Sequence, residues 1–282
     1  MSGFSRSEIG KNIEESFSKI ATEDTITIHS SIVDTQISSL NIGEFLIERV
    51  LQDSAIHYHQ LDIRQIQASV VNASQWQLKT ATDEVLAATY DHVLICTALN
   101  SPLLCQRLPA LKPIRGQVSW FNPTVVSTSH QSNPAQTAQI AQTMPITYGG
   151  YMAQIHVPDA GATVLLGASF IRQDHQTDIR LADHQHNLGL IQAIAPTIAA
   201  EFPATTTWQG RAAIRAQTLD YLPLAGAVTA QHGVWTLSGL GSKGFSYAPL
   251  CAEIICAQLF NEVYPVSREV IQSINPERFA EQ

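Results

Sequence analysis

A glycine-rich turn between a predicted strand and a predicted helix constrains this chain more than any other segment. The apolar run Gly233–Leu237 has strand character, the turn contains Gly239, Gly241 and Gly244, and residues 245–255 carry apolar side chains at helical spacing. Glycines let backbone N–H groups approach a ligand closely, and a helix start offers unpaired donors and the positive end of the helix dipole. The turn therefore predicts a site for an electron-rich ligand.

The glycine spacing matches a dinucleotide-binding fingerprint only formally. That fingerprint also requires a second strand and an acidic residue about 20 positions further on, and neither follows Gly244. Two interpretations therefore stay open: a ligand-binding turn, or a tight turn that packs a helix against a strand. In either case Pro249 is expected in the first turn of the helix, where its missing N–H is tolerated.

Bulk properties narrow the class of protein. With 282 residues, 45% of them apolar and 14% charged, the chain is long enough for two domains or one large domain. Its polar opening segment is unlike a signal peptide, and no apolar run reaches the roughly 18 residues of a membrane span. We therefore expect a cytoplasmic protein without a membrane partner. The net charge of −8 argues against a generally basic nucleic-acid-binding surface.

Neither the cysteines nor the histidines are spaced as metal ligands. The four cysteines form no Cys-x-x-Cys pair, and we expect free structural thiols, with Cys96 and Cys251 in the core. His184 and His186 lie two apart on a predicted helix and do not share a face, so we expect them to face solvent. The sequence predicts no metal site.

The remaining segments alternate between strand and helix patterns, which predicts a mixed α/β fold. The expected elements are amphipathic helices at 8–20, 41–51 and 183–195, short strands between 56 and 89, a strand at 91–100 buried on both faces, a surface loop at 122–145, and a hairpin at 148–155 and 162–169. Thr97 and Ala98 end the buried strand, where open α/β sheets bind small molecules, and they join the glycine turn as a candidate wall.

Two arginines lie near the end of the predicted second domain. A linker-like segment places a domain boundary near residue 114. Arg211 and Arg215 then lie four residues apart, ahead of a turn that contains Asp220. Their spacing does not decide between binding an anion and pairing with carboxylates of the protein.

The order of several motifs resembles the D-amino-acid-oxidase-like family of FAD-dependent oxidoreductases. In chain order the motifs are Arg115-Gly116-Gln117, Tyr151, Gly167-Ala168-Ser169, the segment 215–226, and Gly239-Leu240-Gly241-Ser242-Lys243-Gly244. The last motif, together with Asn275-Pro276-Glu277-Arg278-Phe279, is most similar to one subgroup. This subgroup is the oxidoreductase half of bifunctional enzymes that make 5-methylaminomethyl-2-thiouridine at the tRNA wobble position.

The resemblance implies a fold and a reaction. Residues 1–114 and 210–282 would form an FAD-binding domain, and residues 115–209 an antiparallel substrate domain. The implied reaction removes the carboxymethyl arm from 5-carboxymethylaminomethyl-(2-thio)uridine in tRNA, with FAD as the hydride acceptor.

The resemblance also implies roles for individual residues. Arg215 would clamp the substrate carboxylate through two parallel hydrogen bonds, assisted by Tyr151. The glycine turn would face the pyrimidine side of the flavin, where the helix start stabilises negative charge. The implied cofactor contacts are Gly239, Leu240, Gly241, Ser242, Lys243, Gly244, Arg115, Gly116, Gln117, Thr97 and Ala98.

The chain departs from the family pattern near its start. The family's first strand and its phosphate-binding Gly-x-Gly-x-x-Gly have no counterpart before residue 40, and the methyltransferase half is missing. We therefore expect a fragment, a split-gene product or a degenerate relative that by itself binds FAD weakly or not at all, with the missing segment or a methyltransferase domain on another chain. Two alternatives stay open: another FAD-dependent oxidase of glycine, sarcosine or a D-amino acid, and a catalytically silent protein of the same fold.

Overall fold

A computed structural model describes five stretches of the chain: 26–30, 50–122, 145–157, 161–229 and 231–279, with only the backbone described at 26–30, 154–157 and 161–162. The described residues fall into two compact units. The second unit comprises residues 113–215, and the residues described before and after this range form the first. Strands and helices occur in both units, so the mixed α/β class predicted from the sequence is confirmed.

The strands are short, apart from two long ones that enter and leave the second unit. They are β1 (Ile26–Ser30), β2 (Ile56–Gln60), β3 (Ile63–Ala68), β4 (Trp76–Thr80), β5 (Val93–Ile95), β6 (Lys112–Phe121), β7 (Ile146–Thr147), β8 (Tyr151–Val157), β9 (Gly161–Gly167), β10 (Ile171–Arg172), β11 (Gln209–Gln217), β12 (Leu224–Ala227) and β13 (Val234–Ser238).

The helices include one long element directly after the glycine turn. They are α1 (Ser101–Leu104), α2 (Leu181–Gln192), α3 (Pro196–Ala199), α4 (Gly244–Leu259) and α5 (Arg268–Ile274). Pro249 is the sixth residue of α4, beyond the first turn where we expected it. Because proline has no N–H, the helix lacks the hydrogen bond that residue 249 would otherwise donate to the carbonyl of Phe245.

The first unit is built on a three-stranded sheet in the order β12-β13-β5. β13 is antiparallel to β12 and parallel to β5, with Thr236 opposite Ile95. Ile95 and Val234 belong to an apolar core on one face. Ile254 of α4 belongs to a second cluster that includes Trp235 and Leu237 of β13. The alternation of these side chains along β13 explains why the strand separates two layers of core.

The strand β5 corrects two predictions of burial. Leu94 is 50% exposed although Ile95 is only 2% exposed, so the prediction of burial on both faces is wrong. Cys96 is likewise exposed, whereas Cys251 is buried as expected. Side chains alternate along a strand, so Leu94 and Cys96 share the face of β5 opposite to Ile95, and this face is the exposed one. All four thiols are free.

Two smaller sheets complete the described part of the first unit. β1 pairs with β2 in parallel, with Ile26 opposite Ile56. β3 pairs with β4 as an antiparallel hairpin, with a register shift between Ile63 and Gln65. The strands expected between residues 56 and 89 are therefore present in part.

The second unit contains an antiparallel sheet in the order β10-β6-β9-β8-β7, with β11 also paired to β6. The hairpin of β8 and β9 aligns Tyr151 with Gly167. α2 and the segment after it cover the sheet, and Leu166, Ile191 and Trp208 belong to their shared core. The hairpin and the helix α2 both lie within a few residues of their predicted positions.

Three predicted elements cannot be compared with the structure. The helices expected at 8–20 and 41–51 and the loop expected at 122–145 lie outside the described residues, apart from positions 50, 51, 122 and 145.

Candidate functional site

The glycine turn packs tightly against the chain segment that precedes β12. Gly239 and Gly241 have φ angles of +68° and +56°, which residues other than glycine rarely adopt. A Cβ atom at Gly241 would lie 2.1 Å from Oε1 of Gln217, and one at Gly239 would lie 2.8 Å from Cγ2 of Thr218. The Gly241 N–H donates to the Ala216 carbonyl at 2.9 Å. Both glycines are therefore required for the turn to form as it does.

The start of α4 presents backbone donors that the protein does not use. Lys243 precedes the helix and makes no side-chain capping hydrogen bond, while its carbonyl accepts from the N–H groups of Ser246 and Tyr247. Within the described ranges, no acceptor is paired with the N–H of Gly244 or Phe245. Free donors at the positive end of a helix attract an electron-rich group.

Two side chains flank these donors. The Lys243 ammonium lies 3.3 Å from the Tyr247 hydroxyl and 5.5 Å from the centre of its ring. The side chain of Lys243 therefore extends along the helix, and its contact with a cofactor stays a prediction. Phe245 is 76% exposed at the first turn of α4. Sequence reasoning missed this exposed aromatic side chain, because the helical spacing predicted an apolar residue without saying which face was covered.

Thr97 and Ala98 lie at the same sheet edge as the glycine turn. β5 and β13 are parallel neighbours, so their carboxyl ends point the same way. Thr97 follows β5 and its hydroxyl lies 3.3 Å from that of Ser101, while Ala98 has a φ angle of +50°. The structure thus brings together the two segments of the first unit that the sequence singled out, at the edge where open α/β sheets bind small molecules.

Arg215 is a half-buried cation in the second unit. Its guanidinium makes one long hydrogen bond, 3.5 Å from Nη1 to the Ser169 carbonyl. No Asp or Glu in the described part of the chain forms an ion pair with it. Burial lowers the pKa of Arg215, and Tyr151 opposes that shift. Since buried charges are normally paired, this guanidinium is suited to receive an anion.

Tyr151 lies close enough to Arg215 for the two groups to influence each other. Burial raises the pKa of Tyr151, and the positive charge of Arg215 opposes the rise. The Tyr148 hydroxyl donates to the Tyr151 carbonyl at 3.2 Å, and burial raises the pKa of Tyr148 to about 12. Both phenols are therefore neutral donors at physiological pH, and the structure brings together the two residues predicted to contact the substrate.

Arg115 and Gln117 occupy the interior of the second unit. The Arg115 guanidinium is fully buried and donates from Nη1 to Asp183 at 2.6 Å and from Nη2 to Gln117 at 3.1 Å. The Gln117 amide donates in turn to the Arg180 carbonyl at 2.9 Å. These side chains hold α2 to β6. Their contact with a cofactor stays a prediction, which the position of the two side chains does not favour.

His184 corrects a further prediction. It is 3% exposed rather than solvent-facing, and its Nδ1 lies 2.8 Å from the Ser119 hydroxyl. Burial lowers its pKa, so the ring is neutral at physiological pH. Among the residues that the structure describes, no three His, Cys, Asp or Glu side chains are placed to hold a metal ion. In the same ranges no helix combines the length and apolar content required to cross a bilayer.

Comparisons with known proteins identify the family of the chain. A family model described as FAD dependent oxidoreductase (DAO) matches residues 45–258. The chain is 34% identical over 278 residues to the tRNA 5-methylaminomethyl-2-thiouridine biosynthesis bifunctional protein MnmC of Acinetobacter baylyi, covering 95% of this chain and 41% of that protein. The protein of the same name from Psychrobacter cryohalolentis is 32% identical over 243 residues, covering 81% of this chain and 33% of that protein. The chain thus spans less than half the length of these relatives.

Solved structures share the fold. A glycine oxidase from Geobacillus kaustophilus superposes with a TM-score of 0.60 at 16% identity, covering 81% of this chain and 55% of that chain. An iminodiacetate oxidase from Chelativorans sp. BNC1 superposes with a TM-score of 0.59 at 14% identity, covering 83% of this chain and 58% of that chain. At these identities the likeness concerns the fold alone. The fold type expected from the order of the motifs is thereby confirmed.

Proposed function

The chain belongs to the DAO family of FAD-dependent oxidoreductases, and we propose that it oxidises a secondary amine that carries a carboxylate. The observation that carries this proposal is Arg215, a half-buried guanidinium that lacks a carboxylate partner among the described residues. A planar guanidinium donates two parallel hydrogen bonds to a carboxylate. Tyr151 supplies a further donor beside it.

The donors at the start of α4 fit the cofactor of the family. The N–H groups of Gly244 and Phe245 suit acceptors such as the carbonyl oxygens of the flavin pyrimidine ring, and the helix dipole favours negative charge there. FAD, when bound, supplies the acceptor for the two electrons that leave the substrate. Within the first unit, the glycine turn, Thr97 and Ala98 would hold it. Within the second unit, Arg215 and Tyr151 would bind the carboxylate of the amine.

The two relatives named MnmC suggest the substrate. Their names refer to biosynthesis of a 5-methylaminomethyl-2-thiouridine in tRNA. We propose that the substrate is the 5-carboxymethylaminomethyl group of a wobble uridine in tRNA. Oxidation of the C–N bond to the carboxymethyl carbon removes two electrons and two hydrogens and leaves an imine. Water hydrolyses the imine to glyoxylate and a primary amine on the uridine, and O₂ is the final electron acceptor.

The proposal also suggests partners. The primary amine would be the substrate for a methyltransferase domain, carried on another chain or on a further part of a longer protein. A segment that would contact the pyrophosphate of FAD would likewise be carried on another chain or on a further part of a longer protein.

The test compares two arginines on one strand. Arg215→Ala and Arg211→Ala each remove an arginine side chain from the same face of β11, at positions four residues apart. With added FAD, glyoxylate release is measured from carboxymethylaminomethyl-containing tRNA, from sarcosine and from glycine. We expect Arg215→Ala to raise KM roughly tenfold to a hundredfold, since a hydrogen bond to a charged group contributes about 1.5–3 kcal/mol. Arg211→Ala should change KM far less.

Three outcomes would count against the proposal. Equal effects of the two substitutions on KM would remove the carboxylate role from Arg215. Turnover of sarcosine or glycine but not of tRNA would replace the proposed substrate with a free amino acid. Retention of added FAD after desalting, without turnover of any of the three amines, would favour a catalytically silent protein.

A further inference from the structure

Two glycines of the second unit lie directly beneath the two side chains assigned to the substrate. A Cβ atom built on Gly116 would lie 2.0 Å from Nη1 of Arg215 and 2.4 Å from its Cζ. A Cβ atom on Gly167 would lie 2.7 Å from both Cζ and the hydroxyl oxygen of Tyr151. Real Cβ atoms essentially never come within 3.0 Å of a neighbouring heavy atom, and all of these distances are shorter. The guanidinium and the phenol therefore occupy the space that a side chain at each glycine would fill.

The pairing of the strands explains this arrangement. β11, which carries Arg215, pairs with β6, which carries Gly116. On the hairpin of β8 and β9, Tyr151 and Gly167 are direct partners. Neighbouring strands place their side chains side by side on one face of a sheet. A glycine at the facing position leaves a gap into which a long side chain folds flat.

A positive φ angle does not account for glycine at these two positions, whereas the space above each glycine is filled by another side chain. Neither Gly116 nor Gly167 has a positive φ angle, in contrast to Gly239 and Gly241. Glycine inside a strand weakens the strand and commonly marks a place where another group approaches closely. Here the approaching groups are Arg215 and Tyr151.

We propose that Gly116 and Gly167 are positioning residues that hold Arg215 and Tyr151 flat on the sheet for one anionic ligand. This inference rests on the proposed function, because the carboxylate of the substrate amine is that ligand. The contacts at both glycines are with the far ends of flexible side chains. Alanine at either position would therefore displace the arginine or the tyrosine and leave the backbone of the sheet intact.

The experiment compares Gly116→Ala with Gly189→Ala. Gly189 lies on α2, and a Cβ atom there would meet nothing within 4 Å. For the FAD-supplemented protein and sarcosine, we expect Gly116→Ala to raise KM roughly tenfold with little change in kcat, because an interaction made equally in ground and transition states is lost. Gly189→Ala should leave both constants unchanged. Gly167→Ala should act in the same direction as Gly116→Ala.

A double-mutant cycle tests the contact without any substrate. Gly116→Ala should lower Tm in the natural sequence and should lower it little in an Arg215→Ala background, where the guanidinium is absent. Additive losses of Tm would overturn the inference. It would also be overturned if Gly116→Ala left KM unchanged while Arg215→Ala raised it. An unchanged KM for Arg215→Ala itself would instead contradict the proposed function.

Discussion

Arg278 donates two hydrogen bonds to the carboxylate of Asp220, from Nε to Oδ2 at 2.7 Å and from Nη2 to Oδ1 at 2.9 Å. The same guanidinium donates to the carbonyls of Leu222 and Pro223, at 2.9 Å and 3.1 Å. Arg278 thereby fastens the segment after α5 to the turn around Asp220. Thr218 begins that turn and lies next to Gly239 of the glycine turn. The ion pair therefore stabilises the segment against which the candidate cofactor site packs.

We predict that Arg278→Gln lowers stability in a pH-dependent way. Hydrogen bonds from Arg278 are the largest of several interactions that lower the pKa of Asp220 from 3.8 to about 2. Because the pKa is depressed in the folded state, the stabilisation is present above pH 4 and is lost as the pH falls towards 2. At pH 6 the substitution should cost about 1–2 kcal/mol, since the pair is partly exposed.

Urea unfolding at pH 6, 4 and 3, followed by circular dichroism, measures this effect. The difference between Arg278→Gln and the natural sequence should shrink as the pH falls. Lys79→Gln is the control, because Lys79 pairs with a highly exposed Asp83 and should matter little. A difference that stays constant from pH 6 to 3 would be inconsistent with ionisation of Asp220 as its source.

The glycines of the turn should differ in their tolerance of alanine. Gly241→Ala meets both a positive φ angle and Gln217, and it should lower stability by about 1–3 kcal/mol. Gly244 begins α4, and a Cβ atom there would approach nothing closer than 3.9 Å. Gly244→Ala should leave stability unchanged or raise it by up to about 1 kcal/mol, since alanine is the better helix former.

Urea midpoints and FAD titration of the two variants provide the measurement. Equal losses of stability at the two positions would contradict the geometry of the turn. If Gly244→Ala weakens FAD binding while its stability is preserved, the space above Gly244 is needed by the cofactor.

Removing the acidic partner of the buried ion pair in the second unit should destabilise the protein far more than removing the acidic partner of the exposed ion pair nearby. Asp183→Asn removes the ion-pair partner of the fully buried Arg115, which should cost about 3–5 kcal/mol. Asp178→Asn removes an exposed partner of Arg180, which keeps its pairing with Asp174, and it should change stability little. Thermal unfolding of both variants checks the contrast. Similar Tm values for the two would mean that Asp183 is not essential to the charge balance of this core.

Local patterns were sufficient to predict the strand, turn and helix around Gly239. The apolar spacing along 245–255 and the glycines ahead of it depend only on neighbouring residues, so one sequence is enough to read them. Pro249 was placed wrongly within the helix, because the helix begins at Gly244 and not a few residues later.

Burial was harder to predict than secondary structure. Leu94 was expected inside and is half-exposed, and His184 was expected outside and is 3% exposed. An apolar run or a helix face shows which side chains share a polarity and a direction, but not which other part of the chain will pack over them. The cover of His184 includes Ser119 and Trp208, which lie far from it in the chain.

The sequence by itself determined the family and the mixed α/β class, and it predicted site roles for Gly241 and Arg215, because these inferences depend on residue types in a fixed order. Only the tertiary structure decided that Gly116 lies under the Arg215 guanidinium and that Arg278 pairs with Asp220. Both relationships join residues that are distant in the chain. Strand pairing and close packing bring them together, and no local pattern encodes which distant partner a residue will meet.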